Sequence, residues 1–468
     1  MRASHTDSAT TGGVVAPARL LVLSDIEADP DDTESFVRLM LYSDVIDIEG
    51  MVATTSCWKQ TSVAPDSIRA IVRAYGKVHA NLVKHDANYP RPEVLEALVK
   101  QGRPEYGMKG VGEGKDSEGS DWIIHALEEH DDRPLWVTAW GGPNTLAQAL
   151  YKLRATRPAA EVDQLVAKLR VHAISDQDDS GPWIRKNFPK LFYIVAPGGD
   201  YGAATWAGIN VVVPGIDNTT MSNKWLAARI QQGHGPLGAA YPDVSWGMEG
   251  DTPSWLSLIP NGLNAAEHPN WGGWGGRYEL YRPDIPVSDA KTFVDHVAIP
   301  AETRPIWTNA IDTYVPLVSG EYGRATRIGD KSFKGFQETL WRWRDDFQND
   351  FAARMDWATK PFAEANHPPV VVLDQPAEIS ARAGQGFAVG AHATDPDGDS
   401  LTYVWFVYPE AGTYRGTFKL DGAENSKGLW LTAPQVDKPE TIHLIVRVTD
   451  KGTPSLTRYQ RVIVTVMP

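Results

Sequence analysis

Ser24-Asp-Ile-Glu-Ala-Asp-Pro-Asp-Asp32 is the stretch on which the reading of this chain turns, since residues 25–32 hold five carboxylates directly after the apolar run Arg19 to Leu23. Left uncompensated, such crowding raises carboxylate pKa values or forces protonation, and a bound cation is the natural resolution. Hard oxygen ligands with no His or Cys beside them select calcium or magnesium over zinc. The competing explanation is a helix start. Phe36, Leu39 and Met40 in the segment Thr33 to Tyr42 have helical spacing, and helix N-termini favour negative charge.

Outward from this loop the same texture repeats. Short apolar runs at Ile46 to Thr54, Leu135 to Thr138, Leu169 to Ile174, Leu191 to Val195 and Ile209 to Val213 read as strands. Segments with helical patterning, Asp66 to Tyr75, Asp121 to Glu129 and Asn144 to Leu153, lie between several of them. Alternating strands and helices imply an α/β fold with a mostly parallel sheet covered on both faces, and ligands of such sheets sit at the carboxyl ends of the strands. Trp225 to Arg282 is rich in Gly, Pro, Trp and Asn, and loops of that length are more often functional than idle. Helix is expected again at Ala301 to Tyr314 and Ser332 to Trp357.

After Asn366-His-Pro-Pro369 the pattern changes to period-two alternation, in Ile379 to Ala381, Phe387 to Ala393, Leu401 to Tyr408, Ile442 to Val448 and Tyr459 to Val466. Turn signals separate these runs, as in an all-β sandwich of the Ig-like kind. The expected organisation is a flexible N-terminal tail over 1–18, an α/β domain over 19–365 and the sandwich over 366–468. Asp395-Pro-Asp-Gly-Asp399 and Arg447-Val-Thr-Asp-Lys-Gly452 resemble bacterial cadherin-like and PKD-like modules of exported proteins, which implies a secreted or periplasmic location. Asp395, Asp397, Asp399 and Asp450 are candidates for a structural calcium site in the sandwich.

Composition narrows the partners. A formal net charge of −14 without any Lys/Arg block argues against nucleic acid, and no apolar run is long enough to span a bilayer. Cys57 is the single cysteine, so no disulfide forms within the chain and no thiolate zinc site is built from it. Seventeen tryptophans exceed the usual usage. Indole faces stack on the C–H faces of sugar rings, which makes carbohydrate the expected ligand. Oligomeric state is left open, a homo-oligomer included.

Asp25-Ile-Glu-Ala-Asp-Pro-Asp-Asp32 resembles the Asp-x-Asp-Pro-Gly-x-Asp-Asp motif of the nucleoside hydrolases, with Asp25, Glu27, Asp31 and Asp32 on its four acidic positions. Glu27 replaces an Asp, and Ala28-Asp29 stands where the motif has Pro-Gly. Met51-Val-Ala-Thr-Thr-Ser-Cys-Trp58 and Gly141-Gly-Pro-Asn-Thr-Leu-Ala147 are similar to two further segments of that family. Ser24-Asp-Ile-Glu27, Ala139-Trp-Gly-Gly-Pro-Asn-Thr145, Asp176-Gln-Asp178, Glu249-Gly-Asp-Thr-Pro-Ser254, Leu258-Ile-Pro-Asn-Gly-Leu263 and Trp271-Gly-Gly-Trp-Gly-Gly-Arg-Tyr278 together resemble a narrower family. Its members are cellulose-binding, nucleoside-hydrolase-like proteins with a fused C-terminal sandwich.

This resemblance implies a calcium ion held by Asp25, Glu27, Asp32, the main chain of Asn144, and Asp251. It also implies a water activated by the metal, deprotonated by Glu27, attacking an anomeric carbon while Asp31 accepts a sugar hydroxyl. Asp178 or Glu249 is the expected acid. Asp176, Gln177, Trp58, Trp140, Trp183, Trp271 and Trp274 are the expected sugar-binding residues. The family's Glu-Phe-Asn segment is absent and no His precedes Asp251, which disfavours an ordinary nucleoside. The function expected is a calcium-dependent glycoside hydrolase of an O-linked sugar, furanosides included, in an oligosaccharide or polysaccharide. The alternative is a non-catalytic cellulose-binding protein on the same fold.

Overall fold

A computed structural model describes residues 16–198, 201–284, 300–318, 327–328, 331–420 and 425–468; most of the expected N-terminal tail, 1–15, lies outside the described residues. Eight strands form the main sheet: β1 (Ala18–Ser24), β2 (Ile46–Ala53), β3 (Val99–Gln101), β4 (Leu135–Ala139), β5 (Leu169–Ser175), β6 (Phe192–Ala196), β7 (Tyr278–Tyr281) and β8 (Ile306–Asn309). Their order is β3-β2-β1-β4-β5-β6-β8-β7. All neighbours are parallel except β7 with β8. The chain steps outward in one direction from β1 to β3 and in the other from β4 on, so a crevice opens at the carboxyl ends of β1 and β4.

The apolar run of β1 follows from burial on both faces. Leu20 and Val22 enter one apolar cluster, with Phe36, Leu39 and Met40 of helix Asp31–Met40, while Leu21 and Leu23 enter another, with Ile123, Leu146 and Leu150.

Two expected elements are corrected. Ile209 to Val213 is not a strand: a short 3-10 turn covers Thr205–Ile209, Ile209 packs into the core, and Val212 is exposed. The place beside β6 is taken by β8, within a region expected to be helical. Ile306-Trp-Thr-Asn309 alternates buried and half-buried residues with period two, as a strand requires. Asp312–Tyr314 is likewise extended, pairing with Phe333–Gly335, so helix proper begins only at Glu338–Trp341 and Arg344–Trp357.

The C-terminal part has a three-stranded sheet, in the order Val370–Leu373, Gly386–Thr394, Gly428–Thr432, facing a four-stranded one, in the order Glu378–Arg382, Thr457–Met467, Glu440–Thr449, Thr402–Val407. All pairs are antiparallel except Glu378–Arg382 with Thr457–Met467. Tyr403, Trp405, Leu444, Val446, Val462 and Val464 close the inter-sheet core with Phe387, Val389 and Leu431. The opposite face of the larger sheet sends Phe406, Tyr408, Ile445 and Tyr459 into the first apolar cluster of the α/β part. Asp346 of the long helix accepts hydrogen bonds from Arg447, Thr457 and Tyr459, and Arg458 reaches Asp350 at 2.6 Å. The sandwich is thus welded to the α/β part by one core and a row of carboxylates. Three of the four acidic loop residues considered for calcium there accept hydrogen bonds from main-chain amides. Asp395 accepts from the amides of Asp397 and Asp399, Asp397 holds His367, and Asp450 accepts from Gly452 and Leu456.

Removing Asp346 leaves half-buried Arg447 and buried Thr457 and Tyr459 without their acceptor and should cost about 2 kcal/mol. Asp346→Ala is expected to lower the thermal midpoint of the whole chain. A sandwich that melts apart from the α/β part in the wild type would contradict the shared core.

Candidate functional site

At the carboxyl end of β1 the backbone turns sharply. The Ala28 amide donates to the Asp25 carbonyl at 3.0 Å, the Ile26 amide to Ser24 Oγ at 3.1 Å, and Ser24 Oγ donates to Asp32. Glu27 takes a left-handed φ of 77° in this turn. Its carboxylate is thereby thrown outward, where Lys59 Nζ (2.8 Å) and Ser67 Oγ (2.5 Å) hold it. Asp29 faces inward instead. It accepts from the Asp31 amide at 3.2 Å, and Asp29, Asp31 and Asp32 each present an oxygen within 4.8 Å of the others.

These residues line a cleft of about 730 Å³ with Asp25, Asp251, Trp58, Trp140, Gln177, Tyr201, Trp206, Trp246 and Asn210. Glycines permit the close approaches. A Cβ on Gly141, just past β4, would lie 2.8 Å from Asp25 Oδ1, and one on Gly250 would lie 2.8 Å from Asp31 Oδ2. Asp251 closes the site from the opposite loop, and its Oδ2 is buried with no hydrogen-bond partner.

That loop is anchored from behind. Glu249 has no solvent exposure and a left-handed φ of 47°, and Arg38 of helix Asp31–Met40 grips it with two bonds of 2.5 and 3.0 Å. Tyr241 and Thr252 also donate to Glu249, and the Glu249 amide donates to Glu34. Glu34 is lifted to about 9 by burial and by Glu249. One ion pair therefore ties the helix that begins with Asp31 and Asp32 to the loop that carries Asp251.

No Lys, Arg or His occurs among the described residues that line the cleft. Burial lifts Asp25 to about 7, with Asp29 adding repulsion and Ser56 opposing it. Asp31, Asp32 and Asp251 are pushed well above the ordinary carboxylate range, by burial first and then by one another. Lys59, already paired with Glu27, offsets the repulsion at Asp25 and Asp32 only in part, so the hard oxygen donors converging here fit a hard divalent ion. Asp251 Oδ2 supplies an oxygen left free for one.

Of the sequence-derived candidates, the cleft gathers Asp25, Asp31, Asp32, Asp251, Trp58, Trp140 and Gln177. The others are placed elsewhere. Glu27, more than half exposed, is held by Lys59, and Glu249 is spent on Arg38. Asp176 is buried in a two-bond pair with Arg185 at 2.7 and 2.9 Å. Asp178 accepts from the Ser180 amide and hydroxyl, packed against Gly142 and closed off from the cleft lining. Alternation past β5 explains this, because only Gln177 turns toward the cleft. Asn144, expected to offer its main chain, does not line the cleft, and its side chain bonds Thr54, Thr55 and the Glu105 carbonyl. Trp183 packs on Phe188 and Arg154, Trp271 stacks on His268, and Trp274 is fully buried beside Tyr459.

Sequence reasoning passed over Asp29, Tyr201, Trp206 and Trp246. Asp29 was hidden by matching the acidic motif position for position. Tyr201 and Trp206 follow β6 at the same sheet edge, and this placement was the available signal. Trp58 Nε1 meets Tyr201 Oη at 3.4 Å, and Tyr201 meets Trp206 edge-on at 5.0 Å, forming one aromatic wall. Trp246, 96% exposed, stands at the mouth.

Residues 19–278 match the family model "Cellulose-binding Sde182, nucleoside hydrolase-like domain", and residues 386–466 match "Cellulose-binding protein Sde0182, C-terminal domain". The chain belongs to this cellulose-binding, nucleoside-hydrolase-like family. It is 35% identical to a nucleoside hydrolase-related protein from Saccharophagus degradans described as associated with carbohydrate metabolism. The two superpose with a TM-score of 0.80 over 96% of this chain and 100% of that one. A type III effector, XopQ, solved with adenosine diphosphate ribose, is 14% identical over 52% of this chain and 81% of its own, with a TM-score of 0.27. No curated protein matches the chain.

The raised carboxylates set a pH dependence. Asp251 keeps its proton in the folded state at pH values where the unfolded chain has lost it, near 4, so its contribution to stability is lost as pH rises from that point. In the presence of chelator, Asp251→Asn should match the wild-type unfolding midpoint at pH 4 and exceed it increasingly toward pH 8. Equal midpoints at both ends would remove the repulsion argument.

Proposed function

We propose that the protein is a calcium-dependent glycoside hydrolase acting on an O-linked sugar of an oligosaccharide or polysaccharide, outside the cytoplasm. The observation that carries this reading is one cleft lined by Asp25, Asp29, Asp31, Asp32 and Asp251 together with the rings of Trp58, Trp140, Tyr201, Trp206 and Trp246. Calcium, when bound, supplies a Lewis-acidic centre for vicinal hydroxyls and water. Asp29, Asp31 and Asp32 are the residues to hold it, with Asp25 and Asp251 on either side.

Asp29 then takes the role first assigned to Glu27, as the carboxylate that accepts a proton from the attacking water, while the departing sugar oxygen takes its proton from solvent in the open cleft. The aromatic wall positions the sugar by stacking, and Gln177 reads a hydroxyl. An oxocarbenium-like transition state carries positive charge, which the surrounding carboxylates stabilise. The family description and the S. degradans relative support a carbohydrate ligand.

Binding without turnover is the second reading, favoured by the enclosure of both expected acids, Asp178 and Glu249, away from the cleft. Sugar release from aryl furanosides, aryl pyranosides, nucleosides and plant polysaccharides, with calcium and with chelator, separates the two. Release is expected with calcium, falling at least about 100-fold in Asp29→Asn and Asp32→Ala and staying near wild type in Glu27→Gln. An equal loss in Glu27→Gln would return the base to that residue. Glycan retention with no release from any substrate would replace hydrolysis by binding. Calorimetry should also show proton release on calcium binding, because the raised carboxylates must ionise to coordinate it.

A further inference from the structure

The outer face of the three-stranded sheet is organised around Trp430. The register sets Trp430 opposite Ala388, Thr432 opposite Gly386, and Val372 opposite His392. Alternation sends Phe387, Val389, Leu429 and Leu431 into the core and turns Ala388, His392, Trp430 and Thr432 outward, beside exposed Val370 and Val372. Trp430 is 75% exposed, although an indole gains much from burial. Its ring covers Gly386, where a Cβ would lie 2.7 Å from Cζ2, so the glycine is what lets the indole settle on the sheet. Gly390 on the same strand is covered by Asp374, whose Oδ2 would lie 2.5 Å from a Cβ. Asp374 Oδ1 meets His392 Nδ1 at 2.7 Å, with both side chains more than half exposed. Four residues of strand, about 13 Å, separate the two glycines, so an aromatic plate and a carboxylate–imidazole pair stand in line.

We propose that this face is a binding platform for a neutral polysaccharide with flat pyranose faces, of the cellulose type, separate from the cleft. This rests on the carbohydrate reading above but on a different surface. The indole receives the C–H face of one ring, and Asp374 with His392 exchanges hydrogen bonds with hydroxyls further along the chain. The outward residues include no Lys or Arg, and the chain carries a net charge of −14, so a polyanion is repelled where an uncharged polymer is not. Ala388, His392 and Trp430 lie within residues 386–466, which match the C-terminal domain of the cellulose-binding protein family, and Asp374 lies just before them.

Retention of the full chain on microcrystalline cellulose, and its retardation in gels containing hydroxyethyl cellulose, test the platform. Trp430→Ala should weaken binding about ten-fold, the loss of one stacking contact, with an unchanged unfolding midpoint. Trp430→Phe should restore most of it. Gly386→Val, which pushes the ring away without removing it, should also weaken binding. Undiminished binding by Trp430→Ala overturns the platform, as does a Trp430-dependent dimer in sedimentation, which would make the face an interface between copies. Absence of wild-type binding to any glycan would instead defeat the carbohydrate reading itself.

Discussion

Arg38 and Glu249 meet with neither side chain reaching solvent, and the carboxylates of the cleft hang on either side of that contact. Asp31 and Asp32 open the helix that carries Arg38; Asp251 follows Glu249 by two residues. Like charges in a crevice repel, and a loop free to move would relieve the repulsion by moving away. The ion pair, with Tyr241, Thr252, Glu34 and Gln348 completing its hydrogen bonds, forbids that relief. Breaking a buried pair by removing one partner costs several kcal/mol, whereas its net contribution to folding is small. The pair therefore acts on geometry more than on stability.

Two glycines complete the enclosure. Gly141 lets the end of β4 pass against Asp25, and Gly250 lets the opposite loop touch Asp31. Any side chain at either position would displace a carboxylate. The result is a polar pocket set into an aromatic wall, the combination that sugars require: hydroxyls for the oxygens and C–H faces for the rings.

The sheet, its two apolar layers and the position of the acidic loop at the carboxyl end of β1 were legible in the sequence, because runs such as Leu20 to Leu23 are buried on both faces and have few other readings. Most sandwich strands from Gly386 onward were legible from period-two alternation, although Gly428–Thr432 was passed over, and Trp405 and Phe406 serve opposite faces of one sheet. Ile306 to Asn309 was misread as helix because four residues of alternation are too short to outweigh their surroundings. Trp271 and Trp274 were read as sugar platforms, yet they fill the seam between the two parts of the chain.

The sequence by itself determined which residue types are concentrated where: five carboxylates after the first strand, an acidic Gly/Pro loop near residue 250, and an excess of tryptophan. Tertiary structure alone decided which of them face one another. A left-handed turn at Glu27 exchanges it for Asp29, and Arg38 withdraws Glu249 while leaving Asp251 in place. Side-chain direction depends on one or two backbone angles and on partners hundreds of residues away, and neither is written in the local order of residues.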